Sequence, residues 1–290
     1  MADTAETPKA PVKSNLKSSK LDLASLAGLV IAFGGIIGGL MFEGGKISDI
    51  IQISAAIIVL GGTLGAVMIT SPLSSLMAAI GGLKSVFFEE KLDPAAAVEE
   101  IIAYATKARK SSIVSLEEDL EKVGDKFLQK SLSLAVDGTD LQELRKMMEL
   151  EVAQSEHHRE SAAKVFESAG GYAPTIGIIG AVLGLIQVMK HLENIEEVGK
   201  GIAVAFVATV YGVAVSNLIF LPAAAKLKAR IRQDAQDKEL LLEGVCSIVE
   251  GMNPKLIRVK LEAFLQHAGK PKKKVEAEAS GAQAPAAAKG

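Results

Sequence analysis

Four stretches of the chain carry no charged residue: 23–42, 50–83, 168–189 and 201–225, which are 20, 34, 22 and 25 residues long. About 20 apolar residues are needed for a helix to cross the hydrocarbon core, so each run is long enough for one crossing. In the second run Pro72 follows Thr70 and Ser71. Proline lacks an N–H and clashes with the preceding turn, so the membrane helix is expected to stop there. The remainder, residues 73–83, is too short for another crossing and contains Gly81-Gly82. Four spans are therefore expected. The first run follows Lys9, Lys13, Lys17 and Lys20, as a signal peptide would. It is longer than a usual signal core, and no small-x-small cleavage pattern follows Phe42, so it is read as a retained span.

Orientation follows from Lys and Arg beside the spans. The N-terminal segment holds four Lys, Lys84 and Lys91 follow the second span, and Arg159 and Lys164 precede the third. Lys226, Lys228, Arg230 and Arg232 follow the fourth. The connection 43–49 has only Lys46, and in 190–200 the two Lys are diluted by Glu193, Glu196 and Glu197. Both termini and the long middle segment of this multi-pass protein are expected in the cytoplasm. The chain has 32 Lys and Arg against 34 Asp and Glu, a net charge of −2, which gives no reason to expect nucleic acid as a partner. One cysteine, Cys246, excludes an intrachain disulfide framework and reads as a small apolar helical residue. Four His without zinc-site spacing give no metal site, and nothing points to a cofactor.

The expected fold is all-α: a polytopic membrane protein with four transmembrane helices and a helical cytoplasmic domain. Residues 1–20 form a cytoplasmic tail, 21–70 the first two spans, and 71–167 a cytoplasmic helical domain. Residues 168–225 form the last two spans, 226–267 the C-terminal cytoplasmic helices, and 268–290 a disordered tail of Lys, Pro, Ala, Glu and Gly that cannot bury an apolar face. Asp93 before Pro94 has the pattern of a helix cap, and Asp140 with Glu143 has the spacing of a capping box. One long helix is expected from Asp140 into the third span as far as Gly170-Gly171. The fourth span is expected to continue past Pro222 to about Glu250.

No Asp, Glu, Lys, Arg or His lies inside any of the four runs. Intramembrane ionisable groups mark ion pathways, so a chain without them cannot carry a proton by side-chain titration. Any acid on the path must come from a partner. Small residues recur instead at helical spacing: Gly34, Gly35, Gly38 and Gly39 in the first run, and Gly61 and Gly65 in the second. Gly177, Gly180, Ala181 and Gly184 recur in the third with Pro174, and Ala208, Gly212 and Ser216 in the fourth. Lipid supplies little hydrophobic drive for helix association, so such faces read as packing surfaces. They serve either one chain's bundle or, since all four runs carry them, an oligomer. Thr209 reads either as a hydroxyl bonded to its own helix or as a pore-lining oxygen. Pro174 and Pro222 lie at one depth and read as hinges or as helix boundaries.

The segments AYAPTIGIIGAVLGLIQVM, GIAVAFVATVYGVAVSNLIFLPAAAKLK, ARKSSIVSLEEDL and VDGTD resemble the MotA family of flagellar stator subunits. The resemblance covers about residues 21–267. It implies an ion channel of the bacterial inner membrane in which a homo-oligomeric ring of five copies surrounds a MotB dimer whose single span carries the proton-accepting Asp.

 

The cytoplasmic insert of family members pushes on the rotor protein FliG through charges. Carried over by motif, the rotor-contacting charges are Arg109, Glu117 and, less closely matched, Glu151. The paired prolines are Pro174 and Pro222, and the pore threonine is Thr209. Sodium-driven relatives carry Thr where this chain has Ala181, so the resemblance implies protons as the coupling ion.

Two other readings stand beside this one. The ExbB/TolQ group energises outer-membrane transport or envelope maintenance, but those subunits usually have three spans. A membrane scaffold without ion flux is the other. An enzyme has least support, because no nucleophile–base arrangement, phosphate loop or metal cluster is present in the sequence.

Overall fold

The structure, a computed structural model, describes residues 17–267. Residues 1–16, with Lys9 and Lys13, and the tail expected to be disordered lie outside the described residues. Among the described residues four helical stretches are long and apolar enough to cross a membrane: Leu23–Phe42, Ile53–Thr70, Leu141–Lys190 and Ile195–Val249.

The first span, α1 (Leu23–Phe42), is capped by Asp22, whose carboxylate accepts from the Ser25 N–H. None of its residues is buried within the chain. A short 3₁₀ turn, Ile47–Ile50, leads into α2 (Ile53–Thr70). Tyr211 Oη fastens that connection by donating to the Ile50 carbonyl at 2.6 Å and accepting from the Gln52 N–H. A π turn, Ile57–Gly61, interrupts α2, which ends at Thr70. Ser71 is extended and Pro72 caps α3 (Leu73–Phe87), too short to span. Ala79 and Val86 of α3 pack beside Ala162, Ala169, Ala223 and Leu227 where the last two spans leave the apolar zone.

One local feature departs from the all-α expectation. Lys17–Leu21 (β1) pairs antiparallel with Phe88–Leu92 (β2), Leu21 opposite Phe88 and Lys17 opposite Leu92. Asp22 extends this fastening. Its N–H donates to the Phe87 carbonyl, and its carboxylate meets Lys226 at 2.5 Å and Arg230 at 2.7 Å. The Lys226 ammonium, the Ser25 N–H and the Arg230 guanidinium together hold the Asp22 carboxyl well below the usual carboxylate range.

Beyond the spans a helical bundle forms from α4 (Pro94–Ser111), a 3₁₀ segment (Ile113–Lys122), α5 (Lys126–Val136) and α8 (Pro254–His267). It is completed by the charged ends of α6 (Leu141–Lys190) and α7 (Ile195–Val249). Asp93 caps α4 through Ala95 N–H and Ala96 N–H, and Asp125 caps α5 through Phe127 N–H and Leu128 N–H. Asp140 caps α6 through the Gln142 N–H. The bundle core includes Ile101, Leu116, Leu128, Met148, Leu241 and Leu261. Removing such side chains from water is the main favourable contribution to holding the bundle together. Cys246 is fully buried in this core, and burial pushes its thiol pKa up, as suits a packing residue.

The expected stop at Gly170-Gly171 is not seen. Helix α6 runs unbroken for 50 residues, through both glycines and Pro174. At about 1.5 Å per residue that is roughly 75 Å, well beyond a bilayer. Packing against α7 holds the helix across positions that would weaken it alone.

Candidate functional site

The third and fourth spans meet backbone to backbone. Gly177, Gly180 and Gly184 are buried on α6, and Gly201, Ala205, Ala208 and Gly212 are buried on α7. A Cβ on Gly177 would lie 2.9 Å from the Ala208 carbonyl oxygen and 3.2 Å from Gly212 Cα. One on Gly184 would lie 2.8 Å from Gly201 O, and one on Gly180 would lie 2.7 Å from Ala208 Cβ. Only hydrogen fits at these positions, so dispersion between close backbones replaces the hydrophobic drive that lipid does not supply. Gly177, Gly180, Gly184, Ala208 and Gly212, all named from the sequence, lie in this interface. Gly201, Ala205 and Ala173 complete it and were not singled out, although Gly201 and Ala205 have the same four-residue spacing. The small faces of the first two spans behave differently. Gly34, Gly35, Gly38, Gly39, Gly61 and Gly65 would each accept a Cβ with nothing within 4 Å.

Pro174 lacks the N–H that would bond the Gly170 carbonyl four residues earlier. Ser216 Oγ donates to that carbonyl at 2.6 Å from the facing helix, and Ser216 is 1% exposed. Ser216 also opens a π turn, Ser216–Phe220, just before Pro222. Proline cannot donate to residue 218 and its ring crowds that carbonyl, which a wider turn relieves. Thr209 Oγ1 donates to the Ala205 carbonyl of its own helix at 3.2 Å. Ala181 is half-buried, and Pro222 is exposed.

In the bundle, Arg109 is exposed in the last turn of α4, and Glu117 is exposed on the 3₁₀ segment. Two residues inward from each, Lys107 Nζ meets the Asp119 carboxylate at 2.6 Å, and Lys122 meets it at 3.0 Å. Burial pushes the Asp119 pKa up, but the two ammonium groups outweigh it and leave the carboxyl below its ordinary value. This clamp fixes the segment bearing Glu117 against the helix bearing Arg109. Between them Ser112 adopts φ 76° and ψ 156°, a conformation that is essentially restricted to glycine. Glu151 lies elsewhere, on α6, in an ion pair with Lys130 of α5. Lys107, Asp119 and Ser112 were missed in the sequence, where they look like members of a solvated charged run. Among the described residues no three His, Cys, Asp or Glu side chains cluster to hold a metal.

Residues 119–240 match the MotA/TolQ/ExbB proton channel family, and residues 26–112 match the motility protein A N-terminal family. Motility protein A of Bacillus subtilis is 36% identical over 249 residues, covering 84% of this chain and 91% of that protein. The chain belongs to the motility protein A family. Motility protein A of Helicobacter pylori is likewise 36% identical, over 87% of this chain and 98% of its own length. The Vibrio alginolyticus chemotaxis protein PomA is 30% identical, over 84% of this chain and 96% of its own. Among solved structures, C. jejuni MotAB is similar with a TM-score of 0.81 and 30% identity, covering 86% of this chain and 98% of that one. The flagellar MotAB stator complex from Bacillus subtilis gives 0.77 at 34% identity, over 83% and 95%. In this motility protein A chain the four charge-free runs offer no Asp, Glu, Lys, Arg or His, so they can wall an ion path but supply no acid or base of ordinary pKa to relay a proton.

Proposed function

We propose that this chain is the ring-forming subunit of a flagellar stator in the bacterial inner membrane. With a MotB-type partner it forms an ion channel that converts ion motive force into torque on the rotor. Membership of the motility protein A family supports this reading, and one observation carries the mechanism: the four charge-free runs hold no Asp, Glu, Lys, Arg or His. The moving charge then belongs to the partner's Asp. Protonation removes the cost of holding a carboxylate against the apolar third and fourth spans, and the ring steps around the partner. A charge crossing 100 mV is worth about 2.3 kcal/mol, several times thermal energy.

In this reading five copies surround the partner dimer, and both termini lie in the cytoplasm with the bundle. Arg109 and Glu117 are exposed and meet rotor charges on FliG in contacts that are weak and screened, which suits repeated making and breaking. Glu151 is already engaged by Lys130 and contributes only when that pair opens. Pro174 and Pro222 supply the bend, and Thr209 lines the path once its hydroxyl leaves the Ala205 carbonyl. Ala181 offers no side-chain oxygen, which favours protons over sodium, because sodium must exchange water for oxygen ligands.

The test is conduction in liposomes. The complex with an unplugged partner is expected to pass protons, and the chain alone is expected to pass none. Substantial proton flux through the chain alone overturns the reading. Swimming speed that follows external sodium instead of the proton gradient overturns the choice of ion.

A further inference from the structure

At the ends of the spans remote from the bundle, a cavity of about 510 Å³ opens between α2, α6 and α7. Its polar and apolar parts are separated by depth. Lys190 closes α6 at the rim, and Leu183 lies seven residues below it, roughly 10 Å at 1.5 Å per residue. Ile58, Leu183, Ile186 and Val204 line the deep part. Leu183 and Ile186 remain 45% and 44% exposed within the protomer, so the deep part is open on one side.

The hydrogen-bonding groups are just as one-sided. Of the acids near the rim, Glu197 lies 3.4 Å from His191 Nε2, Glu196 pairs with Lys200 at 2.7 Å, and Glu193 is exposed. The Ser54 hydroxyl, the Gln187 amide and the Lys190 ammonium also line the cavity, and none has a side-chain hydrogen bond or ion pair among the described residues. Three open donors, one of them a cation, sit above an apolar floor. That combination suits an acceptor-rich anion carried on an acyl chain.

We propose that this cavity is a binding site for an anionic phospholipid. Its phosphate is held by Lys190, Gln187 and Ser54, and one acyl chain lies along Ile58, Leu183 and Ile186. With the termini in the cytoplasm, the headgroup belongs to the outer leaflet. The site itself does not depend on the torque reading. A free phosphate would satisfy the donors but would leave the floor uncovered, so the lipid is the occupant that accounts for both halves.

The complex with its partner, in nanodiscs of mixed phosphatidylglycerol and phosphatidylcholine, is extracted and the lipids retained per subunit are counted by native mass spectrometry. The expected result is about one phosphatidylglycerol per subunit, selected over phosphatidylcholine. Lys190→Glu is expected to lower retention about ten-fold, and Lys190→Arg to keep it. Leu183→Trp is expected to abolish retention at unchanged charge by filling the floor. Equal retention of both lipids, or no effect of Lys190→Glu and Leu183→Trp, overturns the proposal. Displacement of the lipid by inorganic phosphate as the preferred ligand, or a crosslink placing the partner's polypeptide at Gln187, overturns it too. Retention is read without motility, so failure here and failure of the stator reading are separate results.

Discussion

Ser216 Oγ donates to the carbonyl oxygen of Gly170 at 2.6 Å, supplying from one membrane helix the hydrogen bond that Pro174 removes from another. The bond joins residues 46 positions apart at the depth where the third and fourth spans leave the apolar zone. Ser216→Ala leaves a buried carbonyl without a donor and is expected to destabilise the helix pair by about 1 kcal/mol. Thermal unfolding of the detergent-solubilised complex measures this. Unchanged stability with Ser216→Ala would show that another group satisfies Gly170.

Gly212 is the position where added volume costs most. A Cβ there would lie 2.5 Å from the Ala173 carbonyl oxygen, a backbone atom that cannot rotate away. Gly212→Val is expected to cost at least about 1–3 kcal/mol and to part the two spans. Gly35→Val, where nothing lies within 4 Å, should leave the protomer fold intact and change only how copies assemble. Crosslinking between cysteines placed on the two spans, together with ring size by mass photometry, distinguishes these outcomes.

Asp119 positions the proposed rotor-facing charges without being one of them. Asp119→Asn keeps Arg109 and Glu117 but releases Lys107 and Lys122, so it should reduce torque while preserving ring assembly. Hydrogen exchange should rise first in the segment Ile113–Lys122. Protection equal to that of the unaltered protein would remove the clamp from the account.

Ser112 occupies a backbone conformation in which a Cβ is strained, at a cost of about 1–3 kcal/mol. Ser112→Gly is expected to relieve part of that strain and raise the melting temperature of the complex. Ser112→Val should lower it. If the strain holds Arg109 and Glu117 in place, the glycine variant gains stability and loses torque together.

The Asp22 cluster gives the chain a pH dependence of known sign. Its folded-state pKa is depressed by Lys226, the Ser25 N–H and Arg230, so its contribution is complete above the unfolded value of about 3.9. That contribution is lost as the pH falls below this value. Asp22→Asn should flatten the acid limb of a stability-against-pH curve and free the first span from the α7 end. Melting curves across about pH 3–7 test this.

Much of the membrane architecture is legible because its cause is local. A charged side chain in hydrocarbon is costly wherever it sits, so runs without charge mark the spans. Pro72, Asp93 and Asp140 act on their own helix ends, Pro72 by its backbone at the break between two helices and the two Asp through bonds to N–H groups two residues on. The helix stop expected at Gly170-Gly171 failed for the opposite reason. Glycine weakens an isolated helix, but here Gly170 lies against Leu221 of α7, and its missing side chain makes room for that contact.

The sequence by itself determined how many spans there are, that their charge-free runs hold no Asp, Glu, Lys, Arg or His, and where small residues allow helices to approach. Only the tertiary structure decided which small faces are used within the chain and which stay open, as those of α1 do. It also decided that Ser216 satisfies Gly170, that Asp119 holds Lys107, and that β1 meets β2. Solvation costs and helix periodicity act residue by residue and can be read in order along the chain. A hydrogen bond or ion pair between distant segments exists only after packing has brought them together.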